Sequence, residues 1–164
     1  MSFPNVPLGQ IVISLGTEPK TADDFREEFR RSEIQLDRDG DALLSSDAFM
    51  VSKKERFVEL VVMSMFKLGV DSSARYSDII KKAKAMGLDL CPAEVGPQLR
   101  LQYKQQPYGE NLAIAMEPIT NLRRIFRVVH DDGWLWLIGS TPGPDGLLTM
   151  TDRLVFFRGV YRPS

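Results

Sequence analysis

The last third of the sequence carries the pattern that most restricts what this chain can fold into. Between residues 111 and 158, short runs rich in β-branched and aromatic residues are separated by turn residues, which is typical of strands joined by hairpins. Asp132-Gly133 separates two such runs, RIFRVVH and WLWLI, and this dipeptide is a strong signal for a two-residue hairpin turn. An antiparallel sheet is therefore expected at the end of the chain.

A further strand is predicted before these runs. Residues 99–104 (LRLQYK) alternate strictly between apolar and polar side chains, and this period of two is typical of a half-buried strand. Gly96 and Pro97, just before it, favour a break in the chain rather than a helix. With this segment the sheet would be a five-strand meander.

Three helices are predicted in the first two thirds. Thr21 can cap the first, whose first turn carries acidic residues that suit the helix dipole. Residues 53–70 are apolar on nearly every side of a helix, which predicts a buried central helix. Leu60 and Phe66 in that run are therefore expected to be core residues. A third helix follows Ser77, with an apolar stripe and outward lysines.

These elements predict an α+β fold in which N-terminal helices pack on one face of a C-terminal antiparallel sheet of four to five strands. The 164 residues, 43% of them hydrophobic, are enough for one domain with its own core. The expected domain therefore spans residues 1–164, of which residues 1–20 could form a loose N-terminal arm.

The chain has one cysteine, Cys91, and one histidine. An intrachain disulfide is excluded, and a structural zinc site cannot be built from these two residues alone. Residues 1–9 lack the basic start and apolar stretch of a signal peptide, and no apolar run reaches the length of a membrane span. A cytoplasmic location is expected, with no membrane association, metal or cofactor.

Charge is distributed unevenly although the net charge is only -1. Residues 1–52 contain 5 basic and 10 acidic residues, whereas residues 53–105 contain 10 basic and 6 acidic residues. The lysine face of the third helix, Lys81, Lys82 and Lys84, could contact nucleic acid. However, domains that bind through phosphate contacts are usually basic overall, so only weak and nonspecific affinity for nucleic acid is expected.

The segment 88–103 (LDLCPAEVGPQLRLQY), with 106–110 (QPYGE) and 115–119 (AMEPI), resembles a group of small bacterial proteins that have no assigned function. The resemblance covers about a fifth of the chain. It implies a bacterial, intracellular source and no particular chemistry.

Two sets of residues could support catalysis. Cys91 and His130 could act as nucleophile and base, but a cysteine in an apolar patch is more often a small buried hydrophobic residue. Glu94, Glu110 and Glu117 lie in the stretch richest in turn residues and could do acid–base work. Their spacing matches no motif, and paired surface carboxylates are the commoner interpretation.

A ligand site on the sheet is the more specific hypothesis. Arg100, Gln102 and Lys104 would occupy the polar face of one strand, while Trp134 and Trp136 share a face of another. If the faces coincide, a ligand could stack on indole and bond to guanidinium or amide. The favoured alternative is that both tryptophans point into the core. The candidate ligand-binding residues are Arg100, Gln102, Glu117, Arg127, Trp134 and Trp136.

The sequence contains no recognisable catalytic constellation, so its leading interpretation is a non-catalytic interaction module that binds a protein or a small ligand. A small-molecule enzyme using the three glutamates is the first alternative. Nucleic-acid binding through the lysine face is the second.

Calcium is expected to have no effect on stability. Asp37, Asp39 and Asp41 resemble the start of a calcium loop, but Ala42 and Ala48 stand where that loop has its glycine and its bidentate glutamate. Thermal melting at millimolar calcium should give the same midpoint as with magnesium. A rise of several degrees with calcium alone would contradict the prediction.

Overall fold

The computed structural model describes residues 9–119, 121–142 and 147–162. These residues form four helices, a curled seven-stranded mixed sheet and a separate two-stranded sheet. The helices are α1 (Ala22–Arg31), α2 (Arg38–Leu44), α3 (Tyr76–Ala85) and α4 (Val95–Gln102). The strands are β1 (Gln10–Leu15), β2 (Gln35–Leu36), β3 (Arg56–Ser64), β4 (Ala74–Arg75), β5 (Asn111–Ile114), β6 (Ile125–Asp131), β7 (Trp134–Ser140), β8 (Leu147–Leu148) and β9 (Arg153–Val160).

The α+β class is confirmed, but the predicted sheet of four to five antiparallel strands is wrong. The large sheet has the order β1-β3-β9-β5-β6-β7-β2, and the β5–β9 and β2–β7 pairs are parallel. Strands β4 and β8 form the two-stranded sheet. Because three strands of the large sheet come from the first 64 residues, the predicted split into N-terminal helices and C-terminal strands does not hold.

Strand β3 replaces most of the predicted central helix 53–70. It pairs with β1 on one side and β9 on the other, so it is an inner strand with apolar residues on both faces. Val58 and Leu60 are completely buried, and Val61 and Val62 are partly buried. A short apolar run with residues on both faces has no clear period, and its β-branched valines favour a strand.

Helix α4 replaces the strand predicted at 99–104. Every residue from Val95 to Leu101 is buried, including the polar ones. Pro97 lies in the first turn, where a helix tolerates proline because the missing N–H has no intrahelical partner. The alternation of apolar and polar residues was therefore misleading, since it does not separate buried from exposed positions.

The curled sheet wraps around α4. This helix contacts β1 at one end of the strand order, and β6 and β7 near the other end. A Cβ atom at Gly96 would lie only 2.6 Å from the Phe126 ring on β6. Helix and sheet can approach this closely only because residue 96 is a glycine.

Helix α1 begins as predicted. The Thr21 hydroxyl accepts a hydrogen bond from the Asp24 backbone N–H at 3.1 Å, and Phe25 and Phe29 are buried.

The apolar stripe predicted for α3 comprised Tyr76, Ile79, Ile80, Ala83 and Met86. It is buried at Tyr76, Ile79 and Ala83 and partly buried at Ile80, but Met86 is exposed. The three lysines are exposed, as predicted.

Helix α2 spans the acidic segment that resembled the start of a calcium loop. The Asp37 carboxylate caps it by accepting from the Gly40 N–H at 2.6 Å, and it also accepts from the Gly139 N–H of β7 at 3.1 Å. One of the acidic side chains that resembled a calcium ligand is therefore used to dock α2 on the sheet.

The hairpin at Asp132-Gly133 is confirmed. Both residues have positive φ angles, 51° and 78°, as a two-residue turn between β6 and β7 requires. At the N-terminus, residues 10–15 of the possible loose arm form β1, and residues 1–8 lie outside the described residues.

Truncation to alanine should destabilise the protein at Leu60 but not at Phe66, although both residues lie in the segment that was predicted as a helix. Leu60 is completely buried in β3, so Leu60→Ala should destabilise the protein by about 2–5 kcal/mol through lost burial and a cavity. Phe66 is 82% exposed, so the earlier expectation that it belongs to the core is wrong, and Phe66→Ala should stay within about 0.5 kcal/mol. Urea denaturation measures both, and similar costs would contradict the strand assignment.

Candidate functional site

The structure divides the predicted ligand-binding residues among different places. Arg127, Trp134 and Trp136 share one face of the β6–β7 hairpin, whereas Arg100 and Gln102 lie on α4. Glu117 is exposed beyond the end of β5. These residues therefore do not form a single site, and two separate surfaces remain as candidates. The sequence grouped Arg100 and Gln102 with the tryptophans only because a strand was wrongly predicted at residues 99–104.

The tryptophans are not core residues, so the favoured interpretation of them is wrong. Phe126 of β6 faces α4, and strand alternation places Leu137 on that same inner side. Trp134 and Trp136 therefore lie on the outer face, where Trp134 is 45% exposed and Trp136 is partly exposed. Leu135 and Leu137, which alternate with the tryptophans on β7, point to the inner side of the curled sheet instead.

The outer face of the hairpin presents an indole surface, made of Val129, Trp134, Trp136 and Ile138. Val129 lies directly opposite Trp136 across the two strands. The Trp136 Nε1–H donates to the Asp131 carbonyl at 3.3 Å, which satisfies the only polar group of the indole. The ring is thus held in place and offers its apolar part to solvent.

A polar cluster borders the indole surface and consists of Asn111, Arg127, Ser140 and Asp152. Arg127 Nε donates to the Ser140 hydroxyl at 2.8 Å, and its Nη1 donates to the Asn111 side-chain oxygen at 3.2 Å. Its Nη2 lies 3.4 Å from the Asp152 carboxylate. The guanidinium is therefore oriented by three neighbours and its charge is balanced.

The second candidate is the helix groove, an open cleft of about 860 Å³ between α1, α4 and the chain that follows β1. Its lining mixes carboxylates, amides and two cationic side chains, and polar and apolar atoms contribute about equally to its surface. The lining residues are Ser14, Thr17, Glu18, Pro19, Asp24, Glu27, Glu28, Arg31, Gln98, Leu101, Gln102, Lys104 and Gln105.

Glutamine side chains fix the floor of the helix groove. The Gln102 amide accepts from the Ser14 backbone N–H and donates to the Ser14 carbonyl, both at 2.9 Å, and donates to Gln98 at 2.8 Å. Gln98 in turn donates to the Thr17 carbonyl at 3.2 Å. Since β1 is an edge strand, Gln102 supplies the backbone partners that a neighbouring strand would have provided.

Glu94 holds the chain where it leaves β1. Its carboxylate is completely buried and accepts from the Gly16 N–H at 2.7 Å and from the N–H and hydroxyl of Ser52 at 2.9 and 2.8 Å. These bonds satisfy a buried charge that would otherwise be costly. Glu94 is thus a structural residue that anchors the groove wall.

The walls of the helix groove carry more negative than positive charge. On α1, Glu27 is paired with Arg30 and Arg31, and the hydrogen bond from Arg30 lowers the pKa of Glu27. Asp24 is exposed and Glu28 is partly exposed on the same helix. Carboxylates line the groove at positions 18, 24, 27 and 28, against Arg31 and Lys104.

Arg100 is buried and points away from both surfaces. Its guanidinium donates to the Gln106 side chain at 2.7 Å and to the carbonyls of Tyr103, Val129 and Trp136 at 2.7, 3.0 and 3.3 Å. Burial lowers the pKa of Arg100 to about 10 and raises that of Tyr103 to about 12. The Nε of Arg100 is buried and has no hydrogen-bond partner among the described residues, while a terminal nitrogen of the guanidinium joins α4 to both strands of the hairpin.

The predicted catalytic sets do not converge. Cys91 is buried with Sγ 3.4 Å from the Val155 carbonyl, and burial raises the pKa of its thiol. His130 Nδ1 instead lies 2.7 Å from the Gln106 carbonyl. Glu94 accepts from Gly16 and Ser52. The Glu110 side chain accepts from Gln106, and Glu117 is exposed beyond β5. Neither a nucleophile–base pair nor a carboxylate pair is assembled.

Two further findings concern the described part of the chain only. No group of three or more His, Cys, Asp or Glu side chains comes together there as a metal site. No helix among these residues is long and apolar enough to cross a membrane.

Sequence reasoning missed most of the helix groove. Asp24 and Glu28 stand four residues apart on α1, and Gln98 and Gln102 stand four apart on α4, which places each pair on one helix face. This spacing is visible in the sequence, but it becomes informative only when residues 95–102 are recognised as a helix.

In comparisons with known proteins, no family model, no curated protein and no solved structure matches this chain.

Replacing Gln102 should destabilise the fold through the edge of the sheet. Gln102→Leu keeps a side chain of similar size but leaves the N–H and carbonyl of Ser14 without their partner, at a cost of about 1–3 kcal/mol. Gln105→Leu is the matched control, because Gln105 is an exposed residue of the same groove. Urea denaturation of both variants tests this, and equal stability would show that the amide contributes nothing.

Proposed function

We propose that this protein is a non-catalytic binding module that holds a cationic ligand in the helix groove. The observation that carries the proposal is the groove itself, an open cleft of about 860 Å³ whose carboxylates outnumber its cationic side chains. The ligand class is a flexible chain that carries several ammonium groups. A polyamine and a lysine-rich peptide both have this chemistry.

The walls of the groove are tied together before any ligand arrives. Gln98 and Gln102 join α4 to Thr17 and Ser14, and Glu94 fixes Gly16. A site held by such bonds needs little ordering on binding, so more of the interaction energy is kept as affinity. This supports recognition of a ligand by a preformed surface.

The distribution of charge supports a cationic ligand. Glu27 is already paired with Arg30 and Arg31, whereas Asp24 and Glu28 face the groove with their side chains accessible. Residues 1–52 have twice as many acidic as basic side chains, so the wider field of this region also attracts cations. Lys104 lies at the opposite wall and would orient the ligand along the acidic side.

The buried polar groups support binding rather than catalysis. Glu94 and the terminal nitrogens of Arg100 are engaged in hydrogen bonds within the fold, and Cys91 is buried in the core, where burial raises the pKa of its thiol. An acid–base or nucleophilic mechanism needs such groups exposed beside a reacting atom. The groups that do face the groove are ordinary carboxylates and amides.

Calorimetric titration with spermidine and with a lysine-rich octapeptide tests this proposal. Both should bind, and the affinity should fall as salt is raised because exposed charges are screened. The double variant Asp24→Asn, Glu28→Gln should bind about two- to thirtyfold more weakly, since each of the two exposed charge contacts contributes about 0.2–1 kcal/mol. The tighter of the two ligands identifies the source of the ammonium groups.

Asp78→Asn is the matched control, because Asp78 is also an exposed aspartate in the first turn of a helix but lies on α3. Its titration should equal that of the original protein. Absence of binding by both ligands at low salt, or equal losses in the control and the double variant, would refute a cation site in the groove.

A further inference from the structure

We propose that the indole surface is a second binding site, independent of the helix groove, and that it takes an uncharged oligosaccharide. The sugar rings would stack on Trp134 and Trp136, while their hydroxyl groups would bond to the polar cluster at Asn111, Arg127, Ser140 and Asp152. Four observations lead to this ligand class.

The first observation is the geometry of the two indoles. Trp134 and Trp136 are two residues apart on one strand, so their side chains leave the same face about 7 Å apart. The Trp136 ring is fixed through its Nε1–H, which donates to the Asp131 carbonyl. Two rings on the same face of one strand suit a ligand made of successive rings, since aromatic faces pack against such surfaces.

The second observation is the chemistry of the neighbouring side chains. The polar cluster combines donors of Arg127 and Asn111 with acceptors of Asp152 and Ser140, and mutual hydrogen bonds already orient them. A sugar hydroxyl both donates and accepts, as serine and threonine hydroxyls do. A mixed and preorganised set of planar polar groups therefore matches several hydroxyls at once.

The third observation is charge. The Arg127 guanidinium is balanced by Asp152, with side chains that are only 13% and 20% exposed. At the other end of the surface, Asp131 and Asp132 are exposed beside Trp134. Nucleic acids also stack on aromatic rings, but they need cations along the backbone.

Arg26 and Arg30 line the cleft beside Trp134. However, Arg26 is paired with Asp41, and Arg30 is paired with Glu27. Because these cations are already paired and two carboxylates are exposed, a neutral ring ligand fits better than a phosphate backbone.

The fourth observation is size. A fully covered aromatic side chain buries roughly 150–250 Å², and both indoles here are already partly covered. They therefore supply on the order of 200 Å² together, with a small addition from Val129 and Ile138. A stable protein interface needs roughly 800 Å² per partner. The indole surface is thus large enough for two or three sugar rings and too small for a protein.

The test uses the fluorescence of the two indoles. Trp134 and Trp136 are the two tryptophans of the whole chain, so every change in tryptophan emission reports on this surface. Cello-, chito- and maltohexaose are titrated separately, and at least one should give a saturable change. Binding of the same hexaose to the variants is then measured by calorimetry.

Trp134→Ala should weaken binding about tenfold, because it removes one of two stacking platforms, and Trp134→Phe should recover part of the loss. Trp134 is 45% exposed, so both variants should melt near the original temperature. Phe66→Ala removes an aromatic residue that is 82% exposed elsewhere and should bind as the original protein does.

Three outcomes would overturn the proposal. One is the absence of a saturable change with all three hexaoses at millimolar concentration. Another is tighter binding of a uridine hexanucleotide than of any sugar, which would assign the indoles to single-stranded nucleic acid. The third is a concentration-dependent dimer in sedimentation that Trp134→Ala abolishes, which would assign the surface to a second copy of the chain.

Discussion

The burial of polar side chains on α4 is the constraint on which the rest of the structure depends. The helix lies inside the curled sheet with Glu94, Gln98 and Arg100 almost completely removed from water. Each of these groups would strongly destabilise the fold if it were left without partners. The terminal nitrogens of Arg100 donate to backbone carbonyls and an amide rather than to a carboxylate, while its buried Nε has no partner in the described part of the chain. The surrounding strands must therefore hold those oxygens at fixed positions. The buried polar side chains of α4 therefore depend on the curled sheet that surrounds them.

The same contacts build the helix groove. Gln102 satisfies the outer backbone groups of β1, and Gln98 reaches Thr17, so the edge strand is closed by side chains of α4 instead of another strand. A cleft remains between α4 and α1 because α4 fills the centre of the curl while α1 packs through Phe25 and Phe29. The groove therefore follows from the way α4 satisfies the edge of the sheet. The same hydrogen bonds hold the α4 and β1 walls of the groove in place.

The sequence correctly predicted the features that depend only on residues close together in the chain. The Asp132-Gly133 turn, the Thr21 cap and the apolar stripe of α3 are determined within a few positions, and all three are present.

The assignments at β3 and α4 failed because each depends on which other elements cover the segment. β3 is an inner strand with apolar residues on both faces, and α4 is a helix whose polar residues are buried and bonded. Periodicity reports a polar face that meets water and an apolar face that is buried, and neither segment is divided in this way. The helix groove needs α4, so it could not be predicted without that assignment.

The position of α4 also separates the two candidate surfaces. The helix touches the β1 side through Gln102 and the hairpin through Arg100, yet the indoles project from the opposite face of β7. A ligand in the groove could affect the indole surface only by moving α4, and any such movement would break several buried hydrogen bonds together. Coupling between sites needs an element with two comparable arrangements, and a helix saturated in one arrangement is a poor candidate. The helix groove and the indole surface therefore lie on separate parts of the fold, one beside α4 and the other on the face of the hairpin that points away from α4.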